Sequence, residues 1–458
     1  MIRKTFLAIL YGWLILSCSD LYGQQVSLLR DIWSETEKNY SGVLASRSAV
    51  ESSQINETVV KSNALPQIKT QLQNTYGTFE GSNGASFPQQ GFFTVSGSRV
   101  SSDGSAFSAN TFVSMVTEYE IYNFGRQQAD QNAASLLTSK AKSNQSAYLI
   151  RLQKTVFEKY VDAVFAVSKL RLADKNKSRI QKIHAINSAL SRSGLRPPAD
   201  SVLTYSSYLQ ASAVSYNLNG MLLSTTEKLK EFYPKEIDTA KLESAHFLEP
   251  IPLSGFELSL NTTHPLTKTL EFESAYFQKK AEIQRKASLP SIKALAGYAY
   301  RGSGINSQGY SSGNWIEGFS NPANNFLIGL GVTWNITSVY TNGKRADAFR
   351  KESHRFAYLE EQSKTAIQIE TSALQKTISA QFDELGKQAE AVKKAESAYE
   401  MYFARYKSGL IGLTELLQIQ QIVETAENNQ LNAVKEYWKQ VINLAEMTTD
   451  FDYLFNNL

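Results

Sequence analysis

Residues 65–78 read LPQIKTQLQNTYGT, and residues 289–302 read LPSIKALAGYAYRG. Each opens on Leu-Pro and then alternates. In the first, Ile68, Thr70, Leu72, Asn74 and Tyr76 fall on one side of an extended chain, with Gln67, Lys69, Gln71, Gln73 and Thr75 on the other. In the second, Ile292, Ala294, Ala296, Tyr298 and Tyr300 take every second place. Strict period two predicts a β-strand, and Pro66 and Pro290 end whatever helix precedes them. Two more runs share the pattern. Phe326, Ile328, Leu330, Val332, Trp334 and Ile336 alternate with Leu327, Gly329, Gly331, Thr333 and Asn335; Thr111, Val113, Met115, Tyr119 and Ile121 alternate with Ser114, Glu118 and Glu120. Each run is about 10 residues, the length of a tilted transmembrane strand, and terminal Tyr and Trp suit an interfacial aromatic belt. The strands pair across polar Gly/Ser/Asn-rich loops, 81–110 and 301–325, of the kind the extracellular side of a barrel allows.

Outward from the strands the pattern changes. Residues 127–193 hold neither Gly nor Pro, and 345–408 hold only Gly386. A helix of about 65 residues is roughly 100 Å long, against about 11–12 residues for an ordinary globular helix. Ile150, Phe157 and Val164 are seven apart, and Leu149, Val156, Ala163 and Leu170 form an adjacent stripe. Near the C-terminus Leu416, Val423, Gln430, Tyr437 and Leu444 repeat the spacing, beside Ile419, Ala426, Ala433, Gln440 and Met447. Two stripes imply apolar neighbours on two sides, as in a ring of helices rather than a two-stranded coil. A soluble β-sandwich is a competing reading of the strands, and four strands flanked by such helices make a poor one.

The first 23 residues read as a signal peptide: Arg3 and Lys4, an apolar run over 6–16, and cleavage after Gly23. The single cysteine, Cys18, follows Ile15, Leu16 and Ser17, which gives a second reading, a lipidated Cys18 as first mature residue; Leu16 disfavours it. On either reading the mature chain forms no disulfide. No later stretch reaches 18 consecutive apolar residues, so no transmembrane helix is expected. A net charge of +4 without a dense basic run gives no argument for nucleic acid.

The chain contains itself twice. Leu65-Pro66-Gln67-Ile68-Lys69 recurs as Leu289-Pro290-Ser291-Ile292-Lys293. Tyr122-Asn123-Phe124-Gly125-Arg126 recurs loosely as Tyr340-Thr341-Asn342-Gly343-Lys344, and Ser193-Gly194-Leu195 recurs as Ser408-Gly409-Leu410. Each copy reads helix, Leu-Pro, strand, loop, strand, Gly-Arg/Lys, long helix, Gly-Leu turn, return helix. With these joints and Tyr406-Lys407-Ser408-Gly409-Leu410 ahead of Leu413, Glu415, Leu416 and Leu417, the sequence resembles the TolC family of outer-membrane factors over nearly all of the mature chain. The expected fold class is mixed α and β: a membrane β-barrel continued by a long periplasmic α-helical barrel, with two internal repeats. The expected divisions are 24–64, N-terminal helices; 65–125, first β-hairpin; 126–233, first helical hairpin; 234–263, equatorial segment; 264–288, connecting helix; 289–343, second β-hairpin; 344–447, second helical hairpin; and 448–458, a tail. The resemblance implies a homotrimer in outer-membrane lipid, four strands per protomer and twelve in the barrel, serving a periplasmic adaptor protein and an inner-membrane pump. Independently, four strands with free edges cannot cross a bilayer alone. Pro66, Gly125, Arg126, Pro290, Gly343 and Lys344 are the expected barrel-to-helix joints.

Catalytic constellations are not evident. His184, His246, His264 and His354 are scattered, and no metal spacing, phosphate cradle or nucleophile elbow occurs, so the reading is a non-enzyme without metal or cofactor. The informative acids are Asp200 and Glu415, each six residues past a turn glycine, Gly194 or Gly409. By the resemblance these turns form the periplasmic tip and the acids ring the pore entrance, where threefold symmetry favours cations. Helix capping is the alternative for both. Gln418 and Ile411 stand where the family often has a second acid and a basic partner. Tyr406 matches a position that helps lock the closed tip, with packing between helices as its alternative. Efflux and type I protein secretion would use the same duct; a structural coiled-coil surface protein and an outer-membrane enzyme are more distant readings.

Overall fold

A computed structural model describes residues 28–78, 101–242, 247–248 and 264–458. The signal peptide, Cys18, most of the 81–110 loop and much of the 234–263 segment lie outside the described residues. The helices are α1 (Leu28–Asn39), α2 (Ser41–Ser62), α3 (Arg126–Arg192), α4 (Pro198–Leu229), α5 (Pro265–Lys286), α6 (Ser338–Lys407), α7 (Leu413–Thr448) and α8 (Asp452–Asn457). The strands are β1 (Gln67–Thr78), β2 (Phe107–Tyr122), β3 (Ser291–Ser303) and β4 (Ala323–Thr333). Among the described residues no helix is long and apolar enough to cross a membrane. The chain divides into two compact units, one of residues 50–142 and 269–360, the other of the remaining segments.

The first unit is built on one antiparallel sheet in the order β1-β2-β3-β4. Its register explains the alternation. Ile68 pairs with Thr117, Leu72 with Val113 and Tyr76 with Ala109; Met115 pairs with Tyr298, which pairs with Phe326, and Ala296 pairs with Ile328. Directly paired residues share a face. One face therefore carries Ile68, Leu72, Val113, Met115, Tyr298, Phe326, Ile328, Leu330 and Val332. The other carries Gln67, Lys69, Gln71, Gln73, Ser114, Glu118 and Arg301, with Lys293 bonded to Glu118 at 3.2 Å. Away from the β3–β4 loop the apolar face stays bare: Leu72, Phe326, Ile328 and Leu330 are each more than 70% exposed. Beneath the sheet, Ala129 and Ala133 of α3 pack on Ile283 of α5, Phe277 stacks on Phe356 at 5.4 Å, and Lys140 pairs with Glu273.

The helix-to-strand joints are the same in both repeats. After α2, Ala64 and Leu65 bond back to Lys61 and Ser62, and Pro66 leads into β1; after α5, Ser288 and Leu289 bond back to Arg285 and Lys286, and Pro290 leads into β3. The strand-to-helix joints differ. In the first repeat Phe124 and Gly125 are both left-handed, with φ of 54° and 75°. The Arg126 amide donates to the Asn123 carbonyl at 3.0 Å, and its guanidinium holds Glu120. In the second repeat the change occurs at Asn335, earlier than the expected Gly343. The Asn335 side chain accepts from the Thr337 hydroxyl at 2.9 Å and the Ser338 amide at 3.2 Å. An Asx cap replaces the left-handed pair, so α6 starts at Ser338 and both Gly343 and Lys344 lie inside it.

The second unit holds one large core. Val156, Phe157, Tyr160, Ala163 and Val164 of α3 meet Val434, Tyr437, Trp438, Val441 and Ile442 of α7, with Leu29 and Ile32 of α1. Residues 448–458 are more than a tail: Phe451 and Phe455 pack on Phe157 at 5.4 and 4.9 Å, and Leu454 is fully buried. The two heptad stripes of α3 thus do have neighbours on more than one side.

The joints separate two glycines that look alike in sequence. Gly125→Ala places a Cβ on a left-handed residue and should destabilise the protein by about 1–2 kcal/mol. Gly343→Ala adds a Cβ that meets nothing within 4 Å and should stabilise α6 by about 0.5–1 kcal/mol. Thermal unfolding followed by circular dichroism should show melting shifts of opposite sign; equal losses would place the second joint back at Gly343.

Candidate functional site

The helical hairpins α3–α4 and α6–α7 close through one backbone device. Gly194 and Gly409 are left-handed at φ of 70° and 73°. The Leu195 amide donates to the Leu190 carbonyl and the Leu410 amide to the Arg405 carbonyl, both at 2.9 Å. This is the Schellman arrangement, which satisfies the orphan carbonyls of a helix end and favours glycine at the left-handed position. Beyond it Pro197 and Pro198 open α4, and Gly412 precedes α7.

Both acids singled out in the sequence sit in the helix turns that follow. Asp200 is partly exposed in the first turn of α4. Glu415 is exposed in the first turn of α7, and its Oε2 accepts from the Gly412 amide at 3.2 Å. Each carboxylate stands at the positive end of a helix dipole. Tyr406 is 1% exposed. Its hydroxyl donates to the side-chain oxygen of Asn187, which is fully buried on α3, and burial pushes the phenol above its usual range. Arg196 lies over the Tyr406 ring at 5.1 Å and reaches the Ile411 carbonyl at 3.4 Å, tying the first turn to the second. Ile183, Tyr399, Leu413, Leu416 and Val423 complete an apolar cluster around Tyr406. His184, solitary in the sequence, approaches the Thr204 hydroxyl at 3.1 Å across the α3–α4 hairpin.

Further along these helices is a charge cluster that the heptad reading passes over. Glu427 of α7 is 6% exposed. Its carboxylate takes both terminal nitrogens of Arg179 at 2.5 and 2.7 Å, and Lys175 at 2.9 Å. Lys175 also reaches Glu396 of α6 at 2.5 Å, so one cluster joins α3, α6 and α7. Burial raises the Glu427 carboxyl, but the hydrogen bonds from Arg179 and Lys175 outweigh it and hold the group below the ordinary glutamate value. One heptad earlier, Gln420 bonds Asn176 in the same buried seam. The signal was present: Gln420, Glu427, Val434 and Val441 are seven apart, a third column whose polar members require partners on α3.

Residues 264–449, which hold α5, β3, β4, α6 and α7, match the sequence model of the family described as outer membrane efflux protein. The second repeat of the chain is thus similar in sequence to outer membrane efflux proteins. The fold agrees over 92% of the chain with three solved outer-membrane proteins. VceC of Vibrio cholerae superimposes at TM-score 0.72 with 11% identity over 96% of its own length. The CmeC channel of Campylobacter jejuni gives 0.71, 13% and 85%, and the open-state MtrE channel of Neisseria gonorrhoeae gives 0.70, 15% and 89%. No curated protein sequence matches the chain significantly.

Glu427 should make the stability of the chain pH-dependent. A depressed carboxyl contributes stability above its unfolded value, about 4.3, and loses it as pH falls through the folded value. Glu427→Gln should lower the melting temperature at pH 7, since breaking a buried pair costs about 3–5 kcal/mol. The gap between wild type and variant should close as pH drops below about 4. Parallel melting curves at pH 7 and 3.5 would remove Glu427 from the acid response.

Proposed function

We propose that the chain is one third of a homotrimeric exit duct for a tripartite efflux pump. It conducts substrates passively from an inner-membrane transporter and a periplasmic adaptor through the outer membrane. The observation that carries this reading is the open sheet. Among the described residues β1 and β4 each pair on one side only, while the apolar face is suited to hydrocarbon. Unpaired strand edges are not tolerated in lipid, so strands of further copies must complete the barrel. An eight-stranded barrel is filled by its own side chains. The long polar side chains of Gln67, Lys69, Gln71 and Gln73 suit the wetter lumen of twelve strands. A second surface supports assembly: Val202, Leu209, Tyr216 and Leu223 recur every seventh residue on α4, each at least 50% exposed. Among the described residues that seam has no apolar helix packed on it, and a neighbouring protomer supplies its partner. The efflux-protein family favours efflux over other uses of the same duct.

In this reading the helices extend into the periplasm and the Gly194 and Gly409 turns form the entrance. Asp200 and Glu415 become rings of three carboxylates, and the Tyr406–Asn187 bond holds the entrance narrow.

Cross-linking in detergent should give a three-chain species that conducts in planar bilayers; a monomeric chain with an intact sheet would refute the assembly. Glu415→Gln and Asp200→Asn should weaken block by multivalent cations and shift selectivity toward anions. If Glu415 only caps α7, its substitution should leave conductance unchanged. Tyr406→Phe leaves a buried amide oxygen short of a partner, a loss of about 1–3 kcal/mol, and should raise conductance. An unchanged conductance would make Tyr406 a packing residue.

A further inference from the structure

The loop between β3 and β4 does not stand away from the sheet. Its short 3-10 helix, Trp315–Phe319, lies against the apolar face, and contacts from three strands fix it there. The Tyr76 hydroxyl of β1 donates to the Gly313 carbonyl at 2.8 Å, and the Tyr300 hydroxyl of β3 donates to the Phe319 carbonyl at 3.0 Å. A Cβ on Gly318 would come within 2.9 Å of the Ala109 Cβ on β2. Tyr76, Ala109 and Tyr300 all belong to the apolar face by register. The close approach depends on glycine, since a Cβ on Gly302 would meet the Gly318 carbonyl at 2.4 Å. Asn314 caps the segment, its side chain accepting from the Ile316 amide at 3.1 Å. Tyr76 stacks on Phe107 at 5.6 Å and meets the Trp315 ring at 5.9 Å.

What the segment turns outward is apolar: Trp315 is 50% exposed, Ile316 72% and Phe319 54%. A solvent-facing loop would bury these groups or replace them with polar ones. Here they lie on the face that Phe326, Ile328 and Leu330 present to hydrocarbon, toward the loop end of the same sheet. Tryptophan with flanking aliphatic and aromatic groups is the composition that partitions into the membrane interface.

We propose that Trp315–Phe319 is a lipid anchor, folded down outside the barrel so that Trp315, Ile316 and Phe319 enter the outer leaflet. The proposal rests on the barrel reading above. Its effect is to fix the depth of the barrel and to draw this loop away from the duct's exit.

The test places spin labels on single introduced cysteines in the full-length protein, reconstituted in vesicles of phosphatidylethanolamine and phosphatidylglycerol. Ile316→Cys is compared with Ile328→Cys on β4 and with Gln308→Cys in the polar part of the same loop; labelled wild type reports any signal from Cys18. Collisions with oxygen, which concentrates in lipid, are measured against a water-soluble nickel chelate. The Ile316 label should follow the Ile328 label, with oxygen collisions several-fold favoured, and the Gln308 label should show the reverse. An Ile316 label that behaves like Gln308 while Ile328 stays in lipid overturns the anchor alone. An Ile328 label in water overturns the barrel reading and the anchor with it.

Discussion

A backbone amide in hydrocarbon must find a hydrogen-bond partner, and in this chain that demand reaches further than any side chain. Four antiparallel strands satisfy one another inside the sheet and leave β1 and β4 open outward. Lipid cannot satisfy them, and among the described residues no further strand pairs with them. The bare apolar column from Ile68 to Val332, the polar opposite face and the exposed stripe on α4 are consistent with a chain whose solution to this demand lies in other copies of itself. In the proposed trimer, stability and assembly are one quantity.

Much of the fold was legible because it is periodic. Period two in residues 67–78 and 291–300 gave strands whose observed bounds differ by few residues, and the two long windows nearly free of Gly and Pro gave α3 and α6. The Leu-Pro joints and the Gly-Leu turns were legible because proline and a left-handed glycine have few structural uses. The second strand-to-helix joint was misplaced for the complementary reason. Asn335 performs it through side-chain hydrogen bonds, and asparagine is common in this sequence, whereas Gly343 offered a more visible marker and proved to be an ordinary helical residue.

The candidate site was legible in position and less so in its bonding. The turn spacing located Asp200, Glu415 and Tyr406, and the structure adds what each touches: Glu415 the Gly412 amide, Tyr406 the buried Asn187. Asn187 is one of many polar residues on a long helix, and only the approach of α6 distinguishes it. The Arg179–Glu427–Lys175–Glu396 cluster belongs to the same class. Its two acids lie more than 200 residues from its two bases, and a pattern read along one helix cannot pair them. A buried acid at a seam position was nevertheless an available clue, because an unpaired carboxylate there would be strongly destabilising.

The Gly194 and Gly409 turns are closed by main-chain hydrogen bonds, with glycine supplying only freedom from a Cβ. The closure does not draw on the side chains of Leu195 and Leu410, which project outward, 72% and 69% exposed. Natural selection can therefore exchange the side chains at these two positions without unmaking the hairpins. A hairpin closed by its main chain can keep its architecture while the residues at its tip change.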